Sequence, residues 1–220
     1  MKRSYFHQLG ETPLLGDTIP DHFAKIVASA GDREAVVSCH QNIRYSYNEL
    51  AAEIDGAAKA LLAAGFTRGD RVGVWSTDNV EWLVLQMATA RVGVVLVNIN
   101  PAYRPRELLY ALEKSGVQGL FLIPAFRTSN YVEMLVDTVP ELKKSTQKSL
   151  KSKALPLLRR VIIWDPADAR ATVSPWSGIQ AWPDFLAAGA GVSQARLDAA
   201  NAELDSDDAI NIQYTSGTTG

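Results

Sequence analysis

The sequence predicts an α/β fold, an open and mostly parallel sheet flanked by helices, on three observations. Val94-Val95-Leu96-Val97, Leu120-Phe121-Leu122-Ile123 and Val161-Ile162-Ile163-Trp164 are apolar along their whole length. Strands of that kind are buried on both faces, as in a parallel sheet covered by helices. Between them lie segments with apolar residues at helical spacing, so strand and helix alternate in the order that right-handed crossovers produce. The 220 residues are 47% hydrophobic and 21% charged, which suits a globular chain with a sizeable core.

Residues 1–17 read as an irregular N-terminal arm. Thr18 then opens a helix, with Pro20 in its first turn, Asp21 placed for a capping box, and Gly31 as its stop. Phe23, Ile26, Val27 and Ala30 form one apolar stripe. Ala35-Val36-Val37-Ser38 and Ile43-Arg44-Tyr45 flank His40-Gln41-Asn42, a hairpin pattern. Ser46 with Glu49 is a second capping box, opening a long helix that buries Leu50, Ile54, Ala57, Ala58, Leu61 and Leu62 and ends at Gly65.

From Arg71 the alternation begins. Arg71-Val72-Gly73-Val74-Trp75 is the first strand; helices are expected around Trp82–Met87, 104–114 and Asn130–Val139. Residues 140–160 interrupt the order with Lys143, Lys144, Lys148, Lys151, Lys153, Arg159 and Arg160 among serines. A solvated connection explains this crowding most simply; a patch steering phosphate or coenzyme A would rest on charge alone. Two helical stretches, 181–188 and 192–202, lead to the acidic turn Asp205-Ser206-Asp207-Asp208. The expected organisation is 18–205 as a first α/β part and 206–220 as the start of a next sheet.

The net charge of −2, from 22 basic and 24 acidic residues, gives no overall excess pointing to nucleic acid or an anionic membrane. A single cysteine, Cys39, excludes an internal disulfide and fits a reducing compartment. The basic start has no apolar stretch behind it, so a signal peptide is not expected. No window approaches the ~20 apolar residues of an integral membrane segment. The expected location is the cytoplasm.

The chemistry concentrates at the end. Ile210, Ile212 and Tyr214 alternate with polar residues, so the segment is a strand, and it runs into Thr215-Ser216-Gly217-Thr218-Thr219-Gly220. Glycines without Cβ let a backbone approach a polyphosphate closely, and successive N–H groups form an anion nest. The threonine and serine hydroxyls add uncharged donors. Composition alone would equally suit a flexible linker, but the order of residues would not. Gly217 and Gly220 enclose only two residues, too few for a Walker A loop. Gly189-Ala190-Gly191 lacks the third glycine of a dinucleotide fingerprint.

Tyr214 to Gly220 resembles the signature phosphate loop of the adenylate-forming superfamily, which includes acyl-CoA synthetases, luciferases and peptide-synthetase adenylation domains. Arg44-Tyr45-Ser46-Tyr47-Asn48-Glu49-Leu50, Gly69-Asp70-Arg71-Val72-Gly73-Val74 and 90–101 resemble further motifs of that family, so the likeness runs over 18–220. Val97-Asn98-Ile99-Asn100-Pro101-Ala102-Tyr103, Ser149-Leu150-Lys151-Ser152 before Leu155-Pro156, and 208–213 are similar to fatty-acid-activating members, in particular the acyl-CoA synthetase family member 2 group, which acts on medium-chain acids.

The resemblance implies part of the large N-terminal domain of the adenylate-forming fold. It also implies a two-step reaction, in which ATP and a carboxylate give an acyl-adenylate and coenzyme A then gives the thioester. Thr215, Ser216, Gly217, Thr218, Thr219 and Gly220 would bind ATP phosphate. No catalytic base or metal ligand is assigned here; the loop lysine, the acidic Mg2+ ligand and the acyl pocket would follow Gly220. On this reading the 220 residues alone are expected to be inactive. Two other readings stay open: a non-catalytic binding module on the same scaffold, or another adenylating enzyme such as a peptide-synthetase domain.

The remaining candidates weigh less. Cys39 and His40 are adjacent on a strand and face opposite ways, which disfavours a nucleophile–base pair. His7, His22 and His40 share no metal-ligand spacing. Trp75 and Trp82 read as core, and Trp164, Trp176 and Trp182 as cover for a sheet edge. Asn98–Tyr103, with Arg104 and Arg106 beyond it, leaves the C-terminal end of a strand, where α/β sheets bind ligands, and is a second candidate site.

Overall fold

The computed structural model describes residues 10, 15–168 and 175–215. Helix α1 (Ile19–Ala30) starts where Thr18 Oγ1 accepts the Asp21 N–H at 3.2 Å. The expected box is half made: the Asp21 carboxylate instead accepts from Asn201 Nδ2 at 2.9 Å, 180 residues away. Strands β1 (Glu34–Ser38) and β2 (Ile43–Ser46) form the expected antiparallel hairpin. Helix α2 (Tyr47–Ala63) carries the full Ser46–Glu49 box and buries the predicted face. It gives way to Gly65, whose φ of +83° favours a residue without Cβ.

The alternating region follows as β3 (Arg71–Trp75), α3 (Val80–Arg91), β4 (Val95–Ile99), α4 (Pro105–Ser115) and β5 (Gly119–Leu122). A two-residue pair, β6 (Ala125–Phe126) with β7 (Ser129–Asn130), precedes α5 (Tyr131–Thr138). Then come β8 (Arg160–Ile163), β9 (Gln180–Ala181), α6 (Trp182–Ala188), α7 (Gln194–Ala202) and β10 (Asn211–Gln213). Neither the β6–β7 pair nor β9 is visible as a sequence pattern, because two residues cannot show a period.

Six strands form one parallel sheet in the order β10-β4-β3-β5-β8-β9. The chain moves from β3 to β4 on one side and then to β5 on the other. Crossovers of one hand therefore put α3 and α4 on opposite faces. The packing agrees: α3 lies against α1 and α2, and α4 against α5. The three apolar strands are buried throughout and β3 is buried after Arg71, with Val72, Leu96, Leu120, Phe121 and Ile162 fully enclosed.

One expectation is corrected. Residues 206–220 were expected to start a next sheet, but β10 adds to this one, pairing in parallel with β4 in the register Asn211–Leu96, Ile212–Val97 and Gln213–Asn98. The cause is the apolar run of β4. Its outer edge carries buried N–H and C=O groups that need partners, and Leu96 N–H is satisfied by the Ile210 carbonyl at 3.0 Å.

Candidate functional site

Because β10, β4 and β3 are adjacent and parallel, their C-terminal ends open on one edge of the sheet. A cavity of about 650 Å³ lies there. From β3 come Ser76, Thr77 and Asp78; from β4, Asn98 to Pro101; from β10, Asn211, Gln213 and Tyr214; and Trp82 and Gln86 of α3 wall one side. Open α/β sheets place ligands beyond the carboxyl ends of their strands.

Local chemistry fixes each wall. The turn after β3 is held by Asn79, whose Nδ2 donates to Ser76 Oγ and to the Thr77 carbonyl, both at 2.8 Å. The same side chain caps α3, its Oδ1 accepting Trp82 N–H at 2.9 Å. Across the β4–β10 pair, Asn98 Nδ2 donates to Gln213 Oε1 at 3.1 Å. Asn98 Oδ1 and Gln86 Oε1 have no partner among the described residues, so both retain accepting capacity beside the cavity. Tyr214 is anchored outward: its hydroxyl donates to the Ala111 carbonyl of α4 at 2.9 Å, and burial pushes its phenol above the ordinary value.

Of the predicted phosphate-binding residues, Thr215 is exposed and follows directly on Tyr214, which lines this cavity. Ser216, Gly217, Thr218, Thr219 and Gly220 lie outside the described residues. The second candidate, Asn98–Tyr103, is brought to this cavity through Asn98, Ile99, Asn100 and Pro101, on the wall that Tyr214 shares. Arg104 turns away, donating to Ser129 Oγ at 3.2 Å, and Arg106 lines a separate surface hollow with Tyr103 and Tyr110. Ser76, Thr77, Gln86, Asn211 and Gln213 were not predicted. The available signal was the switch from apolar to polar residues at each strand's end.

The lining is chemically distinctive. Apart from Asp78 its polar side chains are neutral amides and hydroxyls, set among the apolar Trp82, Ile99 and Pro101, and among the described lining residues none is basic. Such a wall can hydrogen-bond a polar ligand without fixing it in a salt bridge. It does not neutralise a polyphosphate; that requires backbone N–H groups or charges supplied by other parts of the site. Among the described residues no three His, Cys, Asp or Glu side chains gather to hold a metal. Asp78 alone does not make a magnesium site.

Elsewhere, Cys39 is exposed, and His40 Nδ1 lies 3.3 Å from Ser38 Oγ. Trp75 is fully buried, and Trp164 and Trp182 pack together at 5.8 Å over the β8–β9 end of the sheet. Among the described residues no helix is long and apolar enough to cross a membrane.

A parallel α/β sheet with a cavity at the carboxyl ends of its strands is the arrangement of the doubly wound α/β class, whose ligands sit at that edge. The chain belongs to the AMP-binding enzyme family, whose sequence profile matches residues 23–220. It is 38% identical over 219 residues to the mitochondrial medium-chain acyl-CoA ligase ACSF2 of Mus musculus, covering 99% of this chain and 34% of that protein. The Bos taurus protein of the same name is 40% identical over 190 residues, covering 86% of this chain and 30% of its own length. The chain thus spans about a third of the length of these relatives. In fold it is similar to a Mycobacterium tuberculosis fatty acyl CoA synthetase, with a TM-score of 0.66, 20% identity, and coverage of 91% of this chain and 33% of that one. The architecture is that of an adenylate-forming N-terminal domain, in part, as the sequence predicts.

Proposed function

We propose that the protein carrying this chain is an AMP-forming acid–thiol ligase that activates a medium-chain fatty acid with ATP and transfers the acyl group to coenzyme A. A carboxylate oxygen attacks the α-phosphorus, the bond to the β-phosphate oxygen breaks, and pyrophosphate leaves. The coenzyme A thiol then loses its proton and attacks the acyl carbon, and AMP departs. Neither step needs a side-chain nucleophile, so positioning and charge placement dominate.

The observation that supports this reading is the parallel pairing of β10 with β4, which brings Asn211, Gln213 and Tyr214 into the cavity wall, directly before Thr215 in the chain. In this role Thr215 and the segment to Gly220 hold the β- and γ-phosphates. Asn98, Gln213 and Ser76 present neutral hydrogen-bonding groups towards the nucleotide side, and the Tyr214–Ala111 bond sets where the loop begins. The medium-chain preference follows the relatives' names together with the 97–103 and 208–213 strings. Cys39 favours a reducing interior such as the cytoplasm. The mitochondrial location belongs to the vertebrate relatives' names, and cell fractionation distinguishes the two.

The test is ATP–pyrophosphate exchange by the intact protein across a panel of carboxylic acids. Exchange strongest with medium-chain acids, followed by thioester formation with coenzyme A, is expected. Exchange with amino acids alone would assign the protein to peptide-synthetase chemistry instead, and absence of exchange with every acid would remove the ligase reading.

A further inference from the structure

The charge-rich stretch after α5 is not absorbed by the cavity, and its structure differs from a loose connection. From 142 to 160 there are seven basic residues and no acid. Arg159 and Arg160 turn inward to the carbonyls of Gly65 and Ala64. The five lysines, Lys143, Lys144, Lys148, Lys151 and Lys153, are all exposed, and among the described residues none has an ion-pair partner.

The backbone that carries them is pinned. Glu141 Oε1 accepts the Lys153 N–H at 3.1 Å, closing the segment into a loop whose ends meet. Ser177 Oγ donates to the Ser145 carbonyl at 2.8 Å, Arg160 donates to the Gln147 carbonyl at 2.9 Å, and Leu142, Leu150 and Ser152 are buried beneath. The only acid in the loop therefore faces inward as a clasp. Asp137, exposed on α5, is the nearest carboxylate before it in sequence. At the margin Trp176, 38% exposed, lies under Lys143 at 5.2 Å, and Leu157 is 59% exposed.

We propose that this loop is a docking surface for the anionic headgroups of a phospholipid bilayer. The whole-chain charge of −2 hides it, because the positive charge is segregated onto one pinned platform. Lysines held at a negatively charged membrane surface each contribute to attraction over roughly a Debye length. The indole beside Lys143 suits the headgroup boundary, where tryptophan concentrates, and the exposed Leu157 follows Lys153 by four positions in the chain. A polynucleotide would use the lysines but leave Leu157 in water. This surface stands apart from the cavity, so it holds or fails independently of the proposed reaction.

The experiment is co-sedimentation of the intact protein with phosphatidylcholine vesicles, with and without phosphatidylserine, alongside polyuridylate. Binding is expected only to the phosphatidylserine vesicles and is expected to fall as sodium chloride is raised, a result that needs no variant. The triple change Lys144→Gln, Lys148→Gln and Lys151→Gln should weaken it about 100-fold, at about fivefold per lysine. The same charge change placed at Lys25, Arg33 and Lys114 should weaken it far less. Equal binding to neutral vesicles, insensitivity to salt, equal loss in both triple variants, or binding to polyuridylate without binding to vesicles would each overturn the proposal.

Discussion

Tyr214 shows how one side chain ties the end of a strand to a helix. Its hydroxyl shares the Ala111 carbonyl with Ser115 Oγ, which donates at 2.6 Å, so the end of strand β10 is held to α4. Tyr214→Phe should cost about 1 kcal/mol of stability, the usual worth of one such bond. In the intact protein it should raise KM for ATP more than it lowers kcat. A lower melting temperature with an unchanged KM would limit the tyrosine to holding the strand. Glu81 offers a different residue-scale test. It is 7% exposed in the first turn of α3, its Oε2 accepts from Gln41 Nε2 at 2.8 Å, and burial raises its pKa. A raised carboxyl binds its proton more tightly when folded. Its effect on stability is therefore most favourable below the ordinary glutamate value and declines as pH rises through the window up to the folded value. Glu81→Gln should remove that decline and give a higher melting temperature at neutral pH. Melting curves from acid to neutral pH check it; a parallel fall in both proteins would contradict it.

Helix α2 illustrates what is legible at the scale of an element and what is not. Its start was readable because Ser46 and Glu49 are three residues apart, and both halves of the box form. Its end carries no basic residue in the last turn. Its terminal carbonyls are served from afar: Leu62 by Arg196 at 3.3 Å, Ala64 by Arg160 at 3.5 Å and Gly65 by Arg159 at 3.1 Å. Three cations converge there because the last carbonyls lack helical partners and the dipole is negative at that end. No local pattern foretells this, since the arginines come from β8, the turn before it and α7. The same limit applies to Gly189, which reads only as part of a failed fingerprint. A Cβ at Gly189 would lie 2.7 Å from Ala60 N and 3.1 Å from Ala60 Cα, backbone against backbone. Gly189→Ala should therefore destabilise by roughly 1–3 kcal/mol through overpacking. Gly191→Ala, where nothing lies within 4 Å, serves as its control in a denaturant titration.

For the molecule as a whole, strand order decides where a ligand can sit. Reversal of chain direction between β4 and β5 opens a crevice at the ends of β3 and β5, the usual ligand position in such sheets. Here it is filled. Tyr131 stacks on Trp75, the last residue of β3, with ring centroids 3.6 Å apart. Its N–H donates to the Pro124 carbonyl beyond β5 at 2.9 Å, and its hydroxyl donates to the Pro101 carbonyl beyond β4. The open cavity is consequently displaced to the β3–β4–β10 side, where Tyr214 lines it. Its β4 wall was legible as a string at 98–103. Its β10 wall, Asn211, Gln213 and Tyr214, was not, because it depends on β10 choosing the edge of β4. Tyr131 thus links core and site, and two substitutions separate its roles. Tyr131→Ala removes a fully buried ring and should cost about 3–5 kcal/mol, as for other large aromatic truncations. Tyr131→Phe keeps the stack and loses only the bond to Pro101, about 1 kcal/mol with the Pro101 carbonyl left unpaired. Since Pro101 lines the cavity, the phenylalanine variant of the intact protein should bind nucleotide more weakly by more than its small loss of melting temperature explains. Calorimetric titration with ATP beside a thermal melt measures both. Unchanged affinity in the phenylalanine variant would show that the plug supports the core without shaping the site.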